Sequence, residues 1–208
     1  MEDVLDVYCR PYDPAYPVVC LDESPKTLHA HVRRPLPMEP GVPERIDDHY
    51  ERRGGANLFI ACEPLRGWRH LKATERRTKL DWAEFVRELV EEHFPDATKI
   101  VLVMDNLNTH RPASLYEAFP PAQAKRIWDR LEIHYTPKHG SWLNIAECEL
   151  SVLTRQCTNR RIPSREALDR AVTAWENERN GHIAKVDWRF ATKDARIKLK
   201  HLYPKIHE

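Results

Sequence analysis

The 208-residue chain lacks any apolar run near the roughly 20 residues that a membrane-spanning helix requires. Val18–Leu21, Leu58–Cys62 and Ile100–Met104 are typical of its short apolar stretches. A secretory leader is not expected either, since Met-Glu-Asp-Val-Leu-Asp puts acids where a leader is basic. A cytoplasmic protein with no membrane partner is expected. Cysteine is scarce and unpatterned: Cys9, Cys20, Cys62, Cys148 and Cys157 are odd in number and contain no Cys-x-x-Cys pair. That excludes a disulfide framework and a zinc knuckle and leaves reduced, mostly buried thiols. The eleven histidines form no compact set of four ligands, so zinc is not expected. An excess of one charge is missing too, because 33 basic residues face 32 acidic ones, and a polyelectrolyte tail is thereby excluded. No internal repeat or low-complexity stretch is visible.

What is present is enough apolar material, 41% of residues, for the core of one domain. The charge is unevenly spread: residues 1–150 hold 20 basic and 25 acidic side chains, and residues 151–208 hold 13 and 7. An anionic partner for the C-terminal quarter follows. Pro17-Val-Val-Cys-Leu-Asp22 reads as a buried strand ending on Asp22. Four prolines in residues 33–44 impose a loop. Ala56–Cys62 and Trp68–Ala73 flank Pro64-Leu-Arg-Gly67 and read as two strands joined by a turn. From Lys79, Leu80, Trp82, Phe85, Val86, Leu89, Val90 and His93 recur at helical spacing up to Pro95. Ile100–Met104 is a second buried strand, again ending on an aspartate, Asp105. Two helical pieces across 112–130 precede a strand at Leu131–Thr136.

A long helix is expected from Leu143 to Cys157, with Leu143, Ala146, Leu150, Leu153 and Cys157 on its core face. Ser164 caps a further helix whose apolar face is Ala167, Leu168, Ala171, Val172 and Trp175. This is expected to be the C-terminal helix. The organisation is thus a lead-in segment at 1–16, a catalytic domain at 17–180 and a basic tail at 181–208. Three strands, then alternating helices and strands, with acids at two strand ends and on a late helix, define an α/β, ribonuclease-H-like fold: a central mixed five-stranded sheet flanked by helices. The chemistry explains such a layout, because divalent ions need hard oxygen ligands held rigidly around a scissile phosphate.

Three segments carry a resemblance to a known family. Val-Val-Cys-Leu-Asp22-Glu-Ser, Val-Leu-Val-Met-Asp105-Asn-Leu-Asn-Thr-His110 and Tyr-Thr-Pro-Lys-His-Gly-Ser-Trp-Leu-Asn-Ile-Ala-Glu147 resemble the signature blocks of DDE transposases, in the bacterial insertion-sequence-630 branch related to mariner-like elements. The resemblance covers roughly residues 15–190. It implies that Asp22, Asp105 and Glu147 are the catalytic, metal-holding triad for two Mg²⁺ ions, with Mn²⁺ as substitute. Eighty-two residues separate the first pair and 41 the second. Glu149 is the rival third acid, but it points about 200° away from Glu147 on a helix, and Leu143, Asn144 and Glu147 match the family's Leu-Asn-x-x-Glu pattern. Glu149 is then read as a solvent-facing helix acid.

The resemblance places Asn106, His110, Trp142 and Asn144 as supporting residues near the site. Without it, His110 reads as a turn residue and Trp142 as a core anchor. Lys138 and His139 are implied DNA contacts, and Arg155, Arg160, Arg161 and Arg165 form a basic cluster suited to phosphates. The implied activity is metal-dependent DNA strand cleavage and strand transfer, with transposon ends and target duplex as partners, a homodimer as assembly, and the nucleoid as the place of action. Transposases of this branch carry an N-terminal helix-turn-helix region, whereas 21 residues precede Asp22. Element-end recognition is therefore expected from a separate partner or a lost domain. Two alternatives stand beside this reading: a catalytically silent DNA-binding or assembly module, and a host ribonuclease-H-like nuclease without strand transfer.

Overall fold

The computed structural model describes residues 1–203. Helix α1 (Glu2–Tyr8) leads into β1 (Val18–His31), β2 (Tyr50–Glu63) and β3 (Trp68–Thr74). Then come α2 (Lys79–Glu88), β4 (Ile100–Met104), α3 (Pro112–Ala118), α4 (Pro121–Asp129), β5 (Leu131–Tyr135), α5 (Ile145–Leu153), α6 (Arg165–Gly181) and α7 (Thr192–Lys198). The sheet runs β3-β2-β1-β4-β5. β1, β2 and β3 are antiparallel neighbours, while β4 lies parallel to both β1 and β5. The expected mixed five-stranded sheet is present.

Side-chain alternation along the strands builds a core on each face. Cys20, Ile60, Cys62, Val101 and Val103 pack with α1, α5 and α6. Val19, Leu21, Phe59, Ala61, Ile100, Leu102 and Met104 pack with α2, α3 and α4. Because both faces are covered, the central strands need apolar residues at successive positions, which is why they read as unbroken apolar runs. Caps fix the helix starts: Thr78 and Asp81 exchange hydrogen bonds in a capping box before α2, and Asn144 and Ser164 cap α5 and α6. The expected core stripe of α5 is buried throughout, with the segment Thr154–Thr158 continuing it as a π-helical turn. No helix among the described residues is long and apolar enough to cross a membrane.

Four local expectations need correction. β1 continues nine residues past Asp22, pairing with β2 as a long hairpin arm. Leu80 is half exposed, because it belongs to the first turn of α2, before the helix reaches the sheet. α6 is not the last helix: α7 follows and puts Ala195 into the core, with Val186, Trp188 and Phe190 packed against it. Residues 1–16 likewise contribute Val4, Leu5 and Val7 to that core. Residues 204–208 of the expected basic tail lie outside the described residues.

The free edge of β3 is closed by α6 rather than by another strand. The Asn180 side chain accepts from Arg69 N at 2.8 Å and donates to Arg69 O at 2.8 Å, and Glu176 accepts from Leu71 N at 2.8 Å.

Candidate active site

Register alone brings the first two acids together. β1 and β4 pair in parallel as Val18↔Val101, Val19↔Leu102 and Cys20↔Val103. Continued two residues, that register brings Asp22 and Asp105 to the same end of two neighbouring strands. β4 ends at Met104 while β1 goes on, so the sheet opens at this point. Alternation also puts Asp22 on the face of Cys20, the face that α5 covers. Glu147, in the first turn of α5, is exposed there.

Asn144 ties the pieces together. Its side-chain oxygen caps Ala146 N at 3.1 Å, and its amide donates to Leu21 O at 2.9 Å and Asp22 Oδ2 at 3.1 Å. The residue that starts the Glu147 helix thus also aims Asp22, whose Oδ1 accepts from Glu23 N at 2.8 Å. Burial, followed by the charges of Glu147, Glu23 and Asp105, pushes the Asp22 carboxyl up to about 7 against the pull of that Glu23 bond.

Glu23, by the same alternation, faces the other side of the sheet. There it meets His110, which is fully buried and stacked on Trp82 at 5.5 Å. His110 Nε2 lies 3.2 Å from Glu23 Oε1, and Nδ1 lies 3.0 Å from Asp105 O and 2.7 Å from Asp105 Oδ1. Burial works to lower the imidazole, but Asp105 and Glu23 outweigh it and raise it to about 10. His110 is therefore an imidazolium that neutralises two of the acids, more than a turn residue. Ligand atoms of Glu23, Asp105 and His110 lie within 4.8 Å of one another, close enough for the three to hold a metal ion together.

Glu23 Oε2 is buried without a hydrogen-bond partner, and Asp105 Oδ1, also buried, has only the close ion-pair contact with His110 Nδ1. Asp105 at the opening of the sheet, with Asp22 on one side and Glu23 on the other, thus offers carboxylate oxygens of the kind that suit a hard divalent cation. A cleft of about 680 Å³ adjoins Asp105, lined also by Asn106, Tyr135, Lys138 and His139. His139 adopts a left-handed backbone (φ 62°) in the loop that leads to α5.

The other expected residues divide. Trp142 is 44% exposed, its ring 5.9 Å from Phe190, so it is not a core anchor. Arg155 is exposed and donates to Ser151, and Arg160 donates to Cys157 O at 3.1 Å. Arg161 is committed to the hairpin arm: it donates to His49 O and Asp48 O at 3.0 and 3.1 Å and lies over the Tyr50 ring. Glu149 is the clear correction. It is 2% exposed, not solvent-facing, and is held by Arg69 and Arg179. Burial works to raise its carboxyl, but the bonds from Arg69 and Arg179 outweigh it and keep the group below the usual range. The roles of Glu23, Arg69 and Arg179 carry no local signature, apart from Glu23 standing next to Asp22.

A mixed five-stranded sheet flanked by helices, with acids where β1 and β4 part, is a ribonuclease-H-like arrangement. The sequence matches DDE superfamily endonucleases over residues 17–169, and the chain belongs to that family. Its fold is similar to solved chains of the Mos1 mariner paired-end complex with Mn (TM-score 0.52, 14% identity, 82% of this chain and 52% of that one). It is also similar to the Mos1 strand transfer complex (0.56, 12%, 87% and 54%) and the Mos1 paired-end complex with left transposon end (0.50, 13%, 82% and 52%). The chain spans about half the length of these transposase chains. No curated protein sequence matches it.

Proposed function

We propose that this chain is the catalytic part of a transposase, cutting DNA at element ends and joining the freed ends to target DNA with Mg²⁺ or Mn²⁺, in two ions, as cofactor. The observation that carries the reading is the opening of the sheet at Asp22 and Asp105 with Glu147 over it, in a chain of the DDE endonuclease family. Asp22, Asp105 and Glu147 would hold the metal, which when bound supplies electrophilic stabilisation of an in-line phosphoryl displacement. Asn144 aims Asp22 and fixes the start of α5. His110 compensates Asp105 and Glu23 so that the acids stay packed together. Lys138, His139 and Asn106 line the cleft in which a DNA backbone would lie, and exposed Arg155 and Arg160 extend a basic surface beyond α5. Water attacks one phosphodiester, leaving a 5′-phosphate and releasing a 3′-hydroxyl; that hydroxyl then attacks a target phosphodiester, its oxygen joining the phosphorus as the target strand's own 3′-oxygen leaves. The two Mos1 paired-end complexes support transposon-end DNA as a partner. A homodimer and a separate helix-turn-helix partner complete the proposal.

The test is nicking of supercoiled plasmid with Mn²⁺ or Mg²⁺, alongside joining of a pre-cut duplex to plasmid. Wild-type protein should nick and join, and Asp22→Asn, Asp105→Asn and Glu147→Gln should each lose both reactions. Nicking that survives all three substitutions refutes the site, while nicking without joining refutes strand transfer.

A further inference from the structure

We propose that Arg69 and Arg179 are positioning residues for Glu147, acting through the buried carboxylate of Glu149. The inference rests on the reading of Glu147 as a metal-holding acid. The Glu147 carboxylate accepts no hydrogen bond from any described residue, so where it can reach is set by the roll of α5 and its own rotamer. Asn144 holds Ala146 N, and the Tyr8 hydroxyl accepts from Ile145 N at 3.4 Å and donates to Leu143 O at 2.7 Å, so the polar restraints on this end of the helix all lie at its start. Glu149 is two residues on, about 200° around the axis, so whatever grips Glu149 sets the angle of Glu147 on the opposite side.

The grip is a built one. Arg69 donates to Glu149 in a fork, Nε to Oε2 at 2.8 Å and Nη2 to Oε1 at 2.9 Å. Its remaining donors reach Gly67 O at 2.7 Å and Ala184 O. Arg179, from α6, adds Nη2 to Oε1 at 3.1 Å and Nε to Oε2 at 3.3 Å. The backbone of Arg69 is itself held on both its groups by Asn180. Strand β3, helix α6 and the Gly67 and Ala184 loops are thus all referenced to one carboxylate on α5.

Adhesion does not require these charges. Ala146, Leu150 and Leu153 already bury the helix, and apolar side chains replace buried ion pairs at equal or greater stability. What a planar fork adds is direction, since two parallel N–H···O bonds tolerate little rotation of the acceptor. Groups one step removed from a metal ligand commonly alter metal affinity about 10- to 100-fold when lost.

The experiment measures Mn²⁺ affinity of the full chain by calorimetric titration well below the melting temperature, together with melting of the metal-free protein. Glu149→Gln and Arg179→Gln should weaken Mn²⁺ binding about tenfold or more, and Arg179→Lys, which keeps the charge but not the planar fork, should recover little of the loss. Arg179 is partly exposed, so its variants fold even if a change at Arg69 does not. Lower melting temperatures with wild-type Mn²⁺ affinity in both variants would make the network merely structural and overturn the proposal. Glu147→Gln separates the two layers. If it loses Mn²⁺ affinity while Glu149→Gln and Arg179→Gln do not, only this inference fails. If Glu147→Gln binds like wild type, the assignment of Glu147 fails and this inference with it.

Discussion

Replacing Asp22 with Asn should stabilise the metal-free protein at pH 8 and not at pH 4. The Asp22 carboxyl is raised from an ordinary 3.8 to about 7, first by burial and then by Glu147, Glu23 and Asp105. A group raised on folding holds a proton in the native state that the unfolded chain has lost. Its contribution to stability is therefore full below about pH 4 and disappears as pH rises through about 7. At 1.36 kcal/mol per pH unit, the difference between pH 4 and pH 8 is about 4 kcal/mol. The amide introduced by Asp22→Asn keeps one acceptor for the two donors that reach the carboxylate, Glu23 N and the Asn144 amide, and that lost bond costs about 1 kcal/mol at every pH. The variant should thus be about 1 kcal/mol less stable at pH 4 and about 3 kcal/mol more stable at pH 8. For a chain of this length the latter corresponds to about 6–12 °C in melting temperature. Urea melts in a chelator across pH 4–8 measure the difference directly. Mg²⁺ at a hundredfold excess over its Kd should return about 2.7 kcal/mol to the wild type and almost nothing to the variant. A wild-type-minus-variant difference that stays flat from pH 4 to 8 would refute the crowding of acids around Asp22.

Further expectations concern the supports of the site. Glu149→Leu leaves the Arg69 guanidinium buried without its carboxylate, a loss of about 3–5 kcal/mol, so thermal melts should drop by about 10 °C. Gly67→Ala puts a methyl 2.7 Å from the Ile183 carbonyl carbon at a φ of +76°, and denaturant titration should register at least about 2 kcal/mol. Arg161→Ala should speed proteolysis in residues 32–49 and leave the salt dependence of DNA binding unchanged. Arg155→Ala should do the reverse, flattening the slope of log affinity against log salt by about 0.9 for one phosphate contact.

The parts of the fold that could be read from sequence are those where one physical demand dominates. β4 is an unbroken apolar pentapeptide because helices cover both its faces, and its limits come out as Ile100–Met104 on sequence and in the structure alike. The extension of β1 from Glu23 to His31 has no such mark. Its side chains alternate in no regular way, and Pro25 argues against a strand within a sheet. Pro25 is tolerated because β4 pairs with β1 only as far as Cys20, so the Pro25 nitrogen, which has no hydrogen to give, faces no second strand. The arm is a strand because β2 pairs with it, not because of its own composition.

The same distinction separates the acids. Asp22 and Asp105 each follow a buried run, and parallel register makes their meeting a consequence of local pattern. Glu147 and Glu149 have no such distinction between them, since both are glutamates in the first half of one amphipathic helix. The helical angle correctly requires them to face different ways, but it does not say which face is the interior for a charged group. That answer lies 80 residues upstream in Arg69 and 30 downstream in Arg179. A buried carboxylate is expensive until its partners are counted, so composition favours a solvated Glu149 and the folded chain favours an enclosed one. The exposed acid is instead Glu147, which has no hydrogen-bond or ion-pair partner among the described residues.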